Sequence, residues 1–182
     1  NGNLYYTSGD FQSLKAYDWN GNSWIENTAF NFTNTSANVI KDFAFHNDKL
    51  LVLTNDYADN YLTSFVHDGS MWTNSATMNL NYGDSMVNVM KIEGDFMAIG
   101  TNNYILQMER KFPLRFYQYA NNTWNHTLTL YGLGPDFQDD AFGSVITMNT
   151  SGLAIGSPQE NNPSPFDGKV YYVPFSSLGN PT

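Results

Sequence analysis

The side chains able to do acid–base or metal chemistry are few, and most fall in predicted loops. Asp136, Asp139 and Asp140 form an acidic cluster, and Asp167 lies in a later loop. Neighbouring carboxylates can act as an acid–base pair or hold a cation. Because Asp also favours turns, we interpret the cluster as a solvated loop. A hydrolase or lyase acting through these aspartates is kept as an alternative function.

Other reactive groups give no catalytic pattern. The chain contains no cysteine, which excludes disulfides, thiolate catalysis and cysteine–metal sites. Its histidines, His46, His67 and His126, lack the spacing of a zinc site, which needs about four ligands. No Gly-x-Ser-x-Gly nucleophile elbow or phosphate-binding loop occurs. We therefore expect no catalytic residue, no metal and no cofactor, and a protein that is not an enzyme.

Composition excludes further classes of protein. Of the 182 residues, 14% are charged and 16% are aromatic, a balance that argues against disorder. The 17 acidic and 8 basic residues give a net charge of −9, and such a chain repels nucleic-acid phosphates. No apolar run approaches the roughly 18 residues that a membrane helix needs. We expect neither nucleic-acid binding nor membrane insertion.

The elements of the chain repeat. Three tryptophans share one sequence pattern at separations of 48 and 52 residues: Trp24, Trp72 and Trp124. Each follows another aromatic residue by seven positions, namely Tyr17, Phe65 and Tyr117, whereas Trp19 lies outside this register. A second, apolar element recurs upstream and aligns on Tyr6, Leu53, Ile99 and Ile155. This self-similarity indicates a structural repeat of about fifty residues.

The repeated elements have the composition of strands and turns. They are rich in Val, Ile, Tyr, Phe, Leu and Thr, with Asn, Asp, Gly and Ser clustered between them. Asn20-Gly21 and Asp68-Gly69 have the residues that tight hairpin turns require. Four antiparallel strands every ~40–50 residues are typical of a β-propeller blade. The predicted fold class is all-β, a β-propeller of four-stranded antiparallel blades.

The chain reads as a single propeller segment over residues 1–182, a partial ring of about four blades. Its units are approximately 1–30 (partial), 38–80, 85–130 and 143–176 (partial). Two geometries fit: a segment of a six- or seven-bladed ring, or a compact four-bladed ring. In the first, uncovered blade faces would be adhesive. We therefore expect a protein partner, further copies or more of the chain to complete the propeller.

The last unit carries three motifs in a characteristic order. They are Phe142-Gly143-Ser144-Val145, Gly156-Ser157-Pro158 and Gly168-Lys169-Val170-Tyr171-Tyr172. In order and spacing they resemble an FG-GAP repeat, the unit of integrin α-chain propellers and of many secreted microbial proteins. The preceding units lack Phe-Gly, and Ile99-Gly100-Thr101 alone echoes the second motif. Kelch-type repeats, with a similar period and a Trp, are the second choice.

Physical roles follow for these motif residues. Gly143 and Gly156 would let backbones approach closely where blades meet, and both can take a positive φ. Pro158 would end a strand where no amide donor is needed, and Phe142 would be a packing wedge. Together with Trp24, Trp72 and Trp124, these are the predicted blade-packing residues.

Many members of the resembling family hold calcium between the first two strands of a unit. The corresponding turns here are Asn47-Asp48, Glu93-Gly94-Asp95 and Asn149-Thr150-Ser151. They are too short and too poor in carboxylates to supply six or more oxygens. The resemblance therefore carries no calcium site onto this chain.

Two surface features bear on function. Tyr57, Tyr61, Tyr104 and Tyr119 do not repeat, so they are candidates for an exposed glycan-binding surface. N-glycosylation sequons occur at Asn31, Asn34, Asn121, Asn125 and Asn149. Their number is close to chance for a chain so rich in Asn, but they would be accessible in a secreted protein.

These observations favour a non-catalytic extracellular or cell-surface module. It would be a structural or adhesive building block of a cell-surface or filamentous glycoprotein assembly. A glycan-binding, lectin-like propeller is the first alternative, and the hydrolase or lyase is the second.

Overall fold

The computed structural model describes residues 3–30, 32–34, 38–56, 59–80, 87–101, 113–132, 142–158 and 168–177. Within these ranges the chain forms β-strands and one 3-10 turn, with no α-helix. The chain divides into two compact units, Asn1–Asn81 and Tyr82–Thr182. The predicted all-β propeller fold is confirmed: four small antiparallel sheets are its blades, two in each unit.

The first unit contains two sheets. The first sheet has β2 (Ser13–Trp19) at its centre, paired with β1 (Asn3–Thr7), β3 (Trp24–Glu26) and the short β4 (Phe32–Thr33). The second sheet is a consecutive meander of β5 (Val39–His46), β6 (Lys49–Asn55), β7 (Asn60–His67) and β8 (Trp72–Asn79).

The second unit also contains two antiparallel sheets. The third sheet is a meander of β9 (Val87–Glu93), β10 (Phe96–Thr101), β11 (Leu114–Ala120) and β12 (Thr123–Leu130). The fourth sheet has three described strands, β13 (Val145–Asn149), β14 (Gly152–Ser157) and β15 (Lys169–Pro174), and a 3-10 turn follows at Phe175–Ser177.

The second strand of each complete sheet is apolar on both faces. Leu50, Leu51, Val52 and Leu53 of β6 are each at most 1% exposed. In β10, Met97, Ala98 and Ile99 are fully buried. A strand covered on both faces needs apolar residues at every position, which explains why these segments read as runs and do not alternate.

The hairpin registers revise the alignment of the repeats by one residue. Lys15, Thr63 and Arg115 each follow the leucine that starts the shared third-strand pattern. Their partners in the second strand are Tyr6, Val52 and Ile99. Val52 is therefore the equivalent of Tyr6 and Ile99, and the expected Leu53 is wrong. A shift of one residue matters because it exchanges the two faces of a strand.

An apolar cluster joins the two sheets of the first unit. Its fully buried members are Leu14, Phe32, Ile40, Leu50 and Val52. Four aromatic side chains pack around it: Phe30, Phe43, Phe65 and Trp72. Full burial of each such side chain contributes about 1.5–3 kcal/mol, so this cluster stabilises the packing of the first sheet against the second.

A second cluster joins the third and fourth sheets. Ala98, Leu114 and Phe116 of the third sheet pack against residues of the fourth. The fourth-sheet side contributes Phe142, Ile146, Leu153 and Ile155. Ala98 and Leu153 therefore lie on the sheet faces that pack against each other. Because side chains alternate along a strand, the neighbouring residues of each strand lie on the opposite sheet face.

Two hairpin loops are longer than the tight turns predicted. Residues 20–23 and 68–71 form four-residue loops in which positive φ occurs at Gly21 and Gly69. The side chains of Asn20 and Asp68 stabilise them, because each accepts hydrogen bonds from two backbone amides. The third sheet does use a two-residue loop, with positive φ at Asn121 and Asn122.

Candidate functional site

Several predicted residues lie outside the described part of the chain. These are the four aspartates of the acidic cluster and later loop, two tyrosines and one sequon: Asp136, Asp139, Asp140, Asp167, Tyr57, Tyr104 and Asn31. The hydrolase alternative therefore remains a prediction from sequence.

The three histidines lie at separate hairpins. His46 is buried next to Asn47, whereas His67 and His126 are exposed. His67 Nδ1 accepts a hydrogen bond from Gly69, and His126 Nε2 pairs with Thr129 Oγ1 at 2.9 Å. Among the described residues, no group of three or more His, Asp or Glu side chains gathers in a metal-binding arrangement.

The turns compared with calcium loops are short. Only two residues separate the strands in each case: 47–48, 94–95 and 150–151. Asn149 Oδ1 accepts hydrogen bonds from the amides of Ser151 and Gly152, so this side chain supports its own turn.

The repeated tryptophans share one position in the hairpins but differ in exposure. Each pairs directly with another ring across its hairpin: Trp19 with Trp24, His67 with Trp72, and Tyr119 with Trp124. The ring centroids of these pairs lie 5.0–5.4 Å apart. Trp124 is buried, Trp72 is half-buried and Trp24 is 46% exposed. Trp19, which sequence reasoning left unassigned, is the cross-strand partner of Trp24.

The motif residues of the fourth sheet have distinct surroundings. Phe142 is buried in the core of the second unit, and Pro158 is exposed immediately after β14. Gly143 has φ +81°, and a Cβ built on Gly100 would lie 1.9 Å from the Gly143 carbonyl oxygen. Gly156 adopts no positive φ, because it is a regular residue of β14 opposite Val145. The backbone contact with Gly143 that was expected of a second glycine is therefore made by Gly100 of β10.

The described sequon residues differ in accessibility. Asn121, Asn125 and Asn149 are exposed. Asn34 is 8% exposed, and its Nδ2 donates a hydrogen bond to the carbonyl oxygen of Asn38 at 2.9 Å. A buried, hydrogen-bonded amide is a poor acceptor for a glycan, which argues against modification of Asn34.

A polar cleft of about 290 Å³ lies within the first unit. We call it the threonine cleft. Its lining residues are Asn34, Asn38, Val52, Thr54, Asp56, Tyr61, Thr63, Phe65, Asn74 and Thr77. Of the four tyrosines proposed for glycan binding, two lie in the described ranges: Tyr61 lines the cleft, whereas Tyr119 packs on Trp124.

The threonine cleft is the polar end of one sheet face. Register pairs place Val52 beside Thr63, Thr54 beside Tyr61, and Thr63 beside Thr77. At the other end of this face, Leu50 and Phe65 meet Phe32 in the apolar cluster. The sheet face therefore changes from apolar to polar beyond the part that the first sheet covers. The sequence signal for it was the alternation of Tyr61 and Thr63 with the apolar Leu62 in β7.

Hydrogen bonds hold the rim of the cleft. Asp56 Oδ1 accepts from the Asp59 amide at 2.7 Å, and Tyr61 donates to Asp59 Oδ2 at 3.3 Å. Burial, reinforced by the negative charges of Asp59 and Asp56, raises the pKa of the Tyr61 phenol. The Tyr61 hydroxyl is therefore a neutral donor at physiological pH.

Two sheet faces outside the cleft expose apolar side chains. On the first sheet, Leu4 and Tyr6 are 46% and 41% exposed, and the neighbouring Trp19 and Trp24 are exposed beside them. We call this the head face. On the fourth sheet, Val145, Val170 and Tyr172 are 63%, 77% and 58% exposed, next to Ala154 and Gly156. We call this the tail face.

Comparison with protein-family models, with curated proteins and with solved structures gave no match for this chain. In the described ranges, no helix is long and apolar enough to span a membrane. The functional proposals below therefore rest on the cleft and on the two exposed faces.

Proposed function

We propose that the chain is a non-catalytic propeller module that acts as a structural or adhesive building block of an extracellular, cell-surface or filamentous assembly. The observation that carries this proposal is the exposure of the head and tail faces. The occupant proposed for the tail face of one copy is the head face of a second copy.

The tail face is equivalent to a covered face within the same chain. Ala98 and Gly100 of β10 stand in the same Ala-Ile-Gly pattern as Ala154 and Gly156 of β14. Ala98 packs against the fourth sheet, and Gly100 meets the Gly143 carbonyl. The same face of the fourth sheet carries the highly exposed Val170. Repeated units bury equivalent faces, so this face has the residues of a sheet that packs against another sheet.

The head face is equivalent to the complementary side of that interface. Tyr6 of the first sheet occupies the position of Val52 in the second, where Val52 packs toward the preceding sheet. Trp24 likewise corresponds to Trp72, whose ring lies 5.8 Å from Phe30. Docking onto a tail face would bury Tyr6 and Trp24. Trp24 would then have the blade-packing role that its sequence pattern predicts.

A head-to-tail contact determines the kind of assembly. Because the two surfaces differ, the contact is heterologous, and each copy keeps one face free for the next. Repeating this contact gives a closed ring if the rotation between successive copies returns to the first copy, and a filament if it does not. This property supports a building-block function.

Sedimentation velocity of the whole chain over a range of concentrations tests the proposal. We expect the chain to self-associate, and Val170→Lys or Tyr6→Lys to weaken association by about tenfold or more, because each buries a charge in the contact. Met71→Lys is the matched control, because Met71 is 58% exposed in a hairpin loop outside both faces. A wild-type chain that stays monomeric at millimolar concentration would contradict the proposal.

Mixing the two variants tests the head-to-tail geometry. Val170→Lys retains an intact head face and Tyr6→Lys an intact tail face, so the mixture should form dimers at concentrations at which each variant alone stays monomeric. A symmetric contact between identical faces would give no such complementation, and that outcome would exclude the heterologous arrangement.

The FG-GAP resemblance belongs to the same proposal. It is supported by the burial of Phe142, by the positive φ of Gly143 and by its contact with Gly100. The exposed sequon residues Asn121 and Asn125 are compatible with a glycoprotein outside the cell. Mass spectrometry of the chain secreted from a eukaryotic host would detect glycans at these positions.

A further inference from the structure

We propose that the threonine cleft binds a neutral, polyhydroxylated ligand of about one sugar ring. The proposal is independent of the head-to-tail assembly, because the cleft lies on the side of the second sheet that faces the first sheet within one unit. One of the residues lining the cleft, Tyr61, belongs to the set of tyrosines expected to form a glycan-binding surface.

The charge of the lining selects against ionic ligands. Among the described residues, no Lys or Arg lines the cleft, Asp56 is the carboxylate in its lining, and Asp59 lies at its rim. An anionic ligand would be repelled by Asp56 without a compensating cation. A bare divalent cation is disfavoured, because in the described ranges no three acidic or histidine side chains gather to hold one. A neutral ligand is therefore favoured.

The chemistry of the lining favours hydroxyl groups on that ligand. Besides the Tyr61 hydroxyl, three amides and three threonine hydroxyls line the cleft: Asn34, Asn38, Asn74, Thr54, Thr63 and Thr77. Each amide or threonine side chain offers both donors and acceptors, which is what a ligand with alternating hydroxyl groups requires. A volume near the lower end of small-molecule sites limits the ligand to roughly a single ring.

Side chains of the cleft form a short chain of hydrogen bonds, and one direction of that chain leaves the Thr63 hydroxyl as a donor for the ligand. Asn74 Nδ2 donates to Thr77 Oγ1 at 3.0 Å, and Thr77 Oγ1 lies 3.3 Å from Thr63 Oγ1. When Thr77 passes its own hydrogen to Thr63, the Thr63 hydroxyl hydrogen is available to donate into the cleft. Thr63 is 9% exposed, so a hydrogen bond made there is shielded from water.

Aromatic groups complete the site. The half-buried rings of Tyr61 and Phe65 line the cleft together with the side chain of Val52. The carbon-bound face of a sugar ring is apolar, and rigid aromatic side chains provide contact area for it at little entropic cost. The cleft thus combines an apolar surface with directional polar groups, as small-molecule sites do.

The test is an amide chemical-shift titration of the whole chain with glucose, galactose, mannose and N-acetylglucosamine. We expect at least one of these sugars to bind at millimolar concentration and to shift the amide signals of Thr54, Tyr61, Thr63 and Thr77. Glucuronic acid is included as an anionic probe and should bind more weakly than glucose. No shift at the cleft with any of the four sugars, or tighter binding of the acid, would overturn the proposal.

Two variants examine the polar groups. Thr63→Val removes the hydroxyl at nearly constant shape and should weaken binding by about fivefold or more. Thr73→Val is the control, because Thr73 is exposed on β8 and lies outside the cleft. Asn74→Ala, at an exposed position, is the second variant and should also weaken binding if Thr63→Val fails to fold. Binding unchanged by both Thr63→Val and Asn74→Ala would overturn the proposed role of this hydrogen-bond order.

Discussion

At the scale of single residues, two hairpin loops use different side chains for the same purpose. Asp68 Oδ1 accepts hydrogen bonds from the amides of Ser70 and Met71 at 2.8 and 2.9 Å. Asn20 Oδ1 does the same in the first sheet, with both bonds at 2.9 Å. Only the aspartate can be protonated, so the two loops differ in their response to pH.

Acid is expected to weaken the Asp68 loop. The hydrogen bond from the Met71 amide, followed by those from Ser70, lowers the pKa of Asp68 below its ordinary 3.8. The ionised carboxylate therefore contributes its full stability above pH 3.8 and loses it as the pH falls through the lower native pKa. Asp68→Asn keeps the acceptor without the titration, so its melting temperature should fall less than that of the wild-type chain between pH 6 and pH 2.

The reciprocal variant is the control for this pH dependence. Asn20→Asp introduces a carboxylate into the equivalent loop and should make the melting temperature more sensitive to acid. Asp10, whose pKa is lowered by a hydrogen bond from Ser8, is unchanged in all three proteins and cancels in the comparison. Superimposable curves of melting temperature against pH for the wild type and Asp68→Asn would contradict this account of the loop.

At the scale of secondary-structure elements, the third sheet and the segment that leads into the fourth sheet are in close contact at two glycines. A Cβ on Gly100 would lie 1.9 Å from the Gly143 carbonyl oxygen and 2.9 Å from its carbonyl carbon. Gly143 itself has φ +81°, and its amide donates to the Gly156 carbonyl at 2.9 Å. The contact is between backbones, so no flexible side chain can move aside to relieve a clash.

Gly100→Ala should therefore destabilise the chain. Overpacking a rigid contact costs about 1–3 kcal/mol, and we expect a loss near the upper end of that range because the obstructing atoms are backbone. Urea unfolding followed by tryptophan fluorescence measures the change. Gly9→Ala is the control: Gly9 has no atom within 4 Å of a built Cβ and no positive φ. Equal stabilities for the two variants would show that the sheets can separate without cost at Gly100.

The sequence predicted these elements unevenly. Strand positions followed from apolar and β-branched runs such as β6 and β10, because burial on both faces leaves a clear pattern. Which face a residue occupies was less certain, and the repeat alignment placed Leu53 where the register places Val52. Hairpin registers depend on loop length, and the four-residue loops at Asn20 and Asp68 follow from side-chain hydrogen bonds that a two-residue pattern does not reveal.

At the scale of the whole molecule, charge opposes the proposed association. The net charge of −9 makes copies of the chain repel one another, whereas the head and tail faces expose large apolar side chains, and the Lys15–Glu26 pair on the head face adds no net charge. Salt screens the repulsion between exposed charges, with a Debye length that falls from about 30 Å at 0.01 M to about 10 Å at 0.1 M. Apolar contacts are not weakened in this way.

Self-association should consequently become tighter as the salt concentration rises. Sedimentation velocity of the wild-type chain in about 0.01 M and about 0.1 M sodium chloride measures this effect, since the Debye length changes threefold between them. Met71→Lys, with its apolar faces intact and one negative charge offset, should associate slightly more at low salt. Association that weakens with salt would indicate ionic contacts between copies and would argue against docking through the apolar faces.

The sequence by itself determined the fold class of this protein. The returning Trp24, Trp72 and Trp124, the apolar strands and the polar turns predicted propeller blades, because strand burial and turn chemistry are local properties that each repeat carries in full. The aromatic partner of each tryptophan lies five residues upstream in the sequence. It was identified as the partner only by the strand pairing in the structure.

Only the tertiary structure decided the candidate site and the exposed faces. The threonine cleft joins Asn34, Thr63 and Thr77, which lie on a connecting segment and on two different strands. Val170 and Val173 have similar chemistry on the same strand, yet Val170 is 77% exposed whereas Val173 packs against the core. Exposure and proximity depend on which sheet covers which face, and that is a property of packing between distant parts of the chain.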